Sequence, residues 1–112
     1  MSDEMRTYLN DYINRIRDIY GPFLKSVILY GSYARGDYRQ GSDIDVMILL
    51  DLTDMEIKNY RRKLSGMTFD FNMDHDLEIN PTAKSQKQFD KWADVYPFYS
   101  NVRREGVSLF ES

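Results

Sequence analysis

The sequence predicts an α+β fold, close to α/β in character, with a small mixed sheet of three to four strands packed with about four to five helices. Three observations carry this. Segments with apolar residues at i, i+3 and i+4 alternate with short apolar runs bounded by glycine or proline. The first two strands are joined by too few residues for a parallel crossover, so they run antiparallel. The longer helical segment before the third strand suffices for a crossover, which makes that pair parallel and the sheet mixed.

The first helix runs from about Asp3 to Tyr20. Met5, Tyr8, Leu9, Tyr12, Ile13, Ile16, Ile19 and Tyr20 form its apolar stripe, and Gly21-Pro22 stops it. Val27 to Tyr30 is continuously apolar, the pattern of a strand covered on both faces. Gly31 turns the backbone, Ser32 starts a short helix through Arg35, and Gly36-Asp37 ends it. Gly41-Ser42 makes the next turn. The second strand spans Asp43 to Leu50, with Ile44, Val46, Ile48 and Leu50 on one face. Asp43, Asp45, Met47 and Leu49 lie on the other. Thr53-Asp54-Met55-Glu56 has the form of a capping box. Ile57, Tyr60, Leu64, Met67 and Phe71 then predict one helix to about Asp74, weakened but not ended by Gly66.

A third strand is predicted from about Asp76 to Asn80, cut off by Pro81. Ser85 opens a further helix carrying Phe89, Trp92, Ala93 and Tyr96. Pro97 breaks it and begins another, in which Phe98 and Val102 pair and Gly106 ends the run. Phe98 and Trp92 are expected to face inward, and Tyr99 to offer an interface. Val107 to Phe110 reads as a short edge strand or a docked tail. One domain over residues 1–112 is the expected organisation.

Apolar residues make up 42% and aromatics 14%, which excludes disorder. Cysteine is absent, so disulfide, zinc-thiolate and cysteine-nucleophile chemistry are excluded. No stretch approaches the roughly 20 apolar residues of a membrane span. The acidic start, MSDEMRTYLND, is unlike a secretory signal, so a soluble cytoplasmic protein is expected. The net charge of −3 gives no global attraction to nucleic acid or membrane, and direct binding to either is not expected.

Candidate chemistry lies between Gly31 and Asp45. Asp43 and Asp45 share one side of a strand, roughly 7 Å apart along the chain. Alone, such a pair reads more simply as turn-and-cap aspartates. A divalent cation relieves their repulsion, and Mg²⁺ favours one or two carboxylates with phosphate oxygens and water. Gly31 permits close approach of a phosphate, and Ser32 offers a hydroxyl where a helix begins. Antiparallel pairing brings the end of the first strand beside the start of the second, so Ser32 and the acidic pair meet. The parallel third strand brings Asp76 to the same edge, to serve a second metal ion or take a proton. Asp74 and Glu78 share the parity of Asp76 and remain alternatives. No Walker loop is present.

Gly31-Ser32, ten residues, then Asp43-Ile44-Asp45 resembles the signature of the DNA polymerase β-type nucleotidyltransferase superfamily. The fuller run GSYARGDYRQGSDIDVMILLD, with the closing QFDKWADVYPFYSNVRREGVSLFE, resembles the minimal nucleotidyltransferases, or MNT proteins. That resemblance covers most of the chain. It implies the nucleotidyltransferase fold and transfer of a nucleotidyl group from ATP, with Mg²⁺, two ions in number, on the carboxylates. Asp43 and Asp45 match the catalytic, metal-binding pair, Gly31 and Ser32 the triphosphate-binding turn, and Asp76 the third carboxylate. It further implies an antitoxin that transfers AMP to a tyrosine of a HEPN-domain ribonuclease toxin. The rivals are a non-catalytic antitoxin that only binds nucleotide or partner, and an antibiotic-modifying nucleotidyltransferase. No second domain is available to enclose a small acceptor, which disfavours the latter.

Among other residues, Arg35 and Arg39 lie in the motif loop and are more simply solvated than phosphate-binding. His75, the only histidine, fits a helix end better than a metal site. Lys84, Lys87, Lys91, Arg103 and Arg104 make the last third locally basic, most simply as a solvated face.

Overall fold

The computed structural model describes residues 1–112. In chain order its elements are α1 (Asp3–Tyr20), β1 (Leu24–Tyr30), α2 (Ser32–Arg35), β2 (Ile44–Leu50), α3 (Asp54–Lys58), α4 (Arg61–His75), β3 (Ile79–Ser85), α5 (Gln86–Trp92), α6 (Pro97–Glu105) and β4 (Val107–Glu111). The strands form one sheet in the order β3-β2-β1-β4. β1 is antiparallel to β2 and β4, and β2 is parallel to β3. The mixed sheet expected from the connection lengths is therefore present, with β4 as a true edge strand. No helix is long and apolar enough to cross a membrane.

The alternation of β2 divides the core. Ile44, Val46, Ile48 and Leu50 pack with Leu9, Tyr12, Ile16 and Phe71 of α1 and α4 on one face of the sheet. Met47 and Leu49 meet Phe89, Ala93 and Val102 of the α5–α6 region on the other. β2 is thus covered on both sides, and each such side chain contributes roughly 1.5–3 kcal/mol by leaving water. α1 is fixed at its start by Ser2, whose hydroxyl accepts from the Met5 N–H at 3.1 Å. On its inner face the Tyr12 hydroxyl meets the Thr68 hydroxyl at 2.6 Å, both buried. His75 closes α4: its Nδ1 lies 2.9 Å from the Phe71 carbonyl, and its ring stacks on Phe71.

Four expectations are corrected. The single helix from Thr53 to Asp74 is two helices. Asn59 and Tyr60 N–H groups reach back three residues, to Glu56 and Ile57, which tightens the turn and separates α3 from α4. The capping box at Thr53 is present, and Gly66 lies within α4 without ending it. β1 begins at Leu24, earlier than expected, because the chain leaves the Gly21–Phe23 turn already beside β2. Pro81 does not cut off the third strand but lies inside β3, opposite Val46. β3 borders the sheet, where the missing N–H faces no partner strand.

Asn72 closes the neighbouring stretch of that border. Its Oδ1 accepts from the Ile79 N–H at 2.9 Å, and its Nδ2 donates to the Ile79 carbonyl at 3.1 Å. Finally, Phe98 and Tyr99 exchange their expected places. Phe98 is 49% exposed, while Tyr99 packs against the α5–α6 side of the core. Pro97 opens α6, and the phase this sets turns Val102, rather than Phe98, into the sheet.

Candidate active site

The site is built where β1 ends and β2 begins. Antiparallel pairing sets Tyr30 opposite Asp45. The next residue, Gly31, has φ 74° and ψ −153°, a region that side chains with a Cβ essentially avoid. A Cβ built there would stand 2.5 Å from Asp45 Oδ2. Glycine is therefore required twice, for the backbone turn and for the carboxylate lying against it. Past this turn, the Gly31 carbonyl accepts from the Ala34 and Arg35 N–H groups at 3.1 Å, which winds α2 directly from Ser32.

Ser32 and Asp45 line one cleft of about 420 Å³ with Tyr30, Arg35, Phe98 and Glu105. The convergence expected from the Gly-Ser turn and the acidic pair is thus met by Gly31, Ser32 and Asp45. Asp43 lies just before β2, exposed, and on the same side of the strand as Asp45 by alternation. Asp45 is partly buried, and the Asn80 amide donates to its Oδ1 at 3.4 Å.

Asp76 stands elsewhere. It is the C-cap of α4 in the left-handed conformation, φ 53°, three residues before β3. The expected strand position is corrected accordingly: a helix that runs to His75 needs such a cap, and aspartate tolerates it better than most side chains. Glu78 is the acidic residue that sequence reasoning left as an alternative and that register brings forward. Its carbonyl accepts from the Ile44 N–H at 2.9 Å, beside Asp43. Alternation sets it on the face of Asn80, and therefore of Asp45. The signal was the phase of Leu77 and Ile79, which turns Glu78 to the Asp45 side. Asp74 is on α4, away from the strand register. No three acidic or histidine side chains stand close enough together to form a metal-binding group by themselves.

The charges around the rim are unevenly satisfied. Arg35 lies 3.3 Å from Asp37 and 3.9 Å from Glu105. Arg103 pairs with Asp90 and Asp94, and Arg104 with Glu105. Asp43 and Asp45 stand outside these pairs, so their charge is left to solvent or a ligand. Burial, reinforced by the negative Asp45 beside it, pushes the Tyr30 phenol above its ordinary pKa. Tyr30 is therefore neutral at physiological pH. The Arg39 backbone N–H closes the loop turn by donating to Ser42 Oγ at 2.9 Å. Arg35 is the cation that reaches the cleft. Two hard carboxylates without cationic partners, next to a glycine turn, fit a divalent ion shared with phosphate oxygens.

The chain is similar to known proteins in sequence and in fold. The family described as "Nucleotidyltransferase domain" matches residues 9–102. One protein of Methanocaldococcus jannaschii, named "Putative protein adenylyltransferase MJ0604", is 31% identical over 102 residues, spanning 91% of this chain and 94% of its own. A second from the same organism, named "Putative protein adenylyltransferase MJ0141", is 33% identical over 78 residues, 70% of this chain and 77% of its own. Among solved structures, a chain of a toxin–antitoxin crystallised with AMP-PNP superposes with a TM-score of 0.58 at 21% identity. That match covers 92% of this chain and 73% of the other and establishes likeness of fold. A mutant MntA-HpeT toxin–antitoxin structure gives 0.56 at 20% identity, covering 92% of this chain and 72% of the other. With the sheet order, the Gly31 turn against Asp45 and the family match over most of its length, the chain belongs to the nucleotidyltransferase domain family.

Proposed function

We propose that this nucleotidyltransferase moves AMP from ATP to a hydroxyl of a partner protein, a tyrosine of a HEPN-type ribonuclease toxin, and so silences it. The observation that carries the reading is the packing of Gly31 against Asp45 at a cleft that also holds Ser32. The names of the curated relatives favour a protein acceptor. The toxin–antitoxin setting of the structural neighbours favours a toxin as the partner. A cytoplasmic site of action suits both the ATP supply and the absence of cysteine.

In this reading Gly31 and Ser32 hold the phosphate tail, the backbone by close approach and the hydroxyl by hydrogen bonding. Asp43 and Asp45 hold Mg²⁺, which supplies neutralisation of phosphate charge when bound. Glu78, beside Asp43 in register, is favoured over Asp76 as the third carboxylate and as the support for a second ion. The acceptor oxygen forms a bond to the α-phosphorus, the bond to the pyrophosphate oxygen breaks, and the hydroxyl proton passes to solvent or a rim carboxylate. Most of the acceleration comes from holding these groups in line and from charge placed in advance.

The test is incubation of the chain with α-labelled ATP, Mg²⁺ and the toxin encoded beside it. Label is expected on the toxin, and Asp43→Asn and Asp45→Asn should each abolish it without loss of folding. Neutralisation that survives both substitutions, with no label transferred, would establish the binding-only alternative instead.

A further inference from the structure

The cleft is lined by two kinds of side chain. Ser32, Arg35, Asp45, Asn101 and Glu105 are polar or charged; Tyr30, Phe98 and Val102 are aromatic or apolar. Phe98 lines this cleft half exposed, so part of its ring is free to meet a ligand. It is not loose on the surface. Its ring centroid is 5.8 Å from that of Tyr30 and 5.0 Å from that of Tyr99, both in edge contacts that fix its orientation. Tyr30 is in turn anchored opposite Asp45 by strand register. The aromatic wall is therefore held in fixed relation to the carboxylate.

We propose that Phe98 is the platform on which the purine ring of the nucleotide stacks. This rests on the reading of the site as an ATP cleft and extends it to the base. A nucleotide joins an anionic tail through ribose to a flat aromatic ring, and the cleft lining holds a partner for each. With the tail at Gly31 and Ser32 and the α-phosphate beside Asp45, the tether keeps the base in the same cleft, which Phe98 lines. Asn101 follows Phe98 by one helical turn and lines the same cleft. Its Oδ1 is taken by Arg104 Nη2 at 2.6 Å, which leaves the amide N–H groups to donate to a ring nitrogen of the purine. The polypeptide acceptor has no such tether, and its approach to phosphorus comes from the side opposite the departing pyrophosphate.

The experiment compares ATP with inorganic tripolyphosphate, each with Mg²⁺, by calorimetric titration of the full chain and of its Phe98→Ala and Phe98→Trp variants. Phe98→Ala should weaken ATP about tenfold, within the range seen when a stacking aromatic is removed, and leave tripolyphosphate unchanged. Phe98→Trp should bind ATP at least as tightly as the wild type. Equal weakening of both ligands, or of neither, overturns the proposal, because a base platform is blind to a ligand without a base. Unchanged ATP affinity with a raised KM for the protein acceptor overturns it too and assigns Phe98 to acceptor docking. A wild-type chain that binds neither ligand removes the underlying ATP reading, a failure distinct from loss of the base contact alone.

Discussion

Replacement of Gly31 by alanine attacks the site and the fold together. The added Cβ meets Asp45 Oδ2 at 2.5 Å, so either the carboxylate or the turn must move. Its φ of 74° with ψ of −153° adds backbone strain of about 1–3 kcal/mol. Crowding against a packed neighbour adds about 1–3 kcal/mol more. Gly36 is the control: it too has positive φ, 85°, but an added Cβ there meets nothing within 4 Å. Gly36→Ala should therefore cost only the left-handed strain, about 1–2 kcal/mol. Urea titrations should find Gly31→Ala less stable than Gly36→Ala by at least about 1 kcal/mol, with nucleotide binding lost in the first and kept in the second. Equal stability for the two, with ATP binding intact in Gly31→Ala, would refute the claim that the Asp45 contact demands glycine.

Tyr12→Phe should destabilise the chain by about 1–2 kcal/mol, because the buried Thr68 hydroxyl loses its partner at 2.6 Å. Adding Thr68→Val should recover part of that loss, read as coupling in a double-mutant cycle. Burial pushes the Tyr12 and Tyr20 phenols up to about 12. The unfolded chain therefore releases these protons first. The stability they support is whole below about pH 10 and falls between about pH 10 and 12, by roughly 1.4 kcal/mol per unit for each group. Denaturation midpoints measured across that range should drop less steeply in Tyr12→Phe. Thr53→Ala removes the hydroxyl that accepts from the Glu56 N–H at 3.2 Å and should cost about 1 kcal/mol, measured by thermal melting.

What the sequence made legible was whatever a periodicity or an obligatory residue type encodes. Strand parity from Asp43 to Leu50 assigned both faces of β2 and set the two aspartates on one of them. Gly31 and Ser32, closing a strand and opening a helix, marked the turn that Asp45 lies against. What escaped depended on neighbours in space. Ile57, Tyr60 and Leu64 keep helical spacing across a break, because the tightened turn at Asn59 and Tyr60 advances the chain much as a helix does. Pro81 reads as a stop unless it is known that its strand borders the sheet. Asp76 carries no mark of the left-handed cap it forms, since aspartate takes that role only occasionally. Phe98 and Tyr99 are adjacent aromatics, and only the phase imposed at Pro97 decides which one the core receives.

Pro81 and Asn72 have a consequence for crowded conditions. Between them they blunt the first half of β3 against a newcomer, the first by lacking a donor and the second by occupying both of Ile79's backbone groups. The β4 side of the sheet has no such proline or amide clamp and is the more receptive to an added strand. Copies that met there would share their receptive sides and leave blunted ones outward, so association by this route would stop at a pair instead of growing into a fibre.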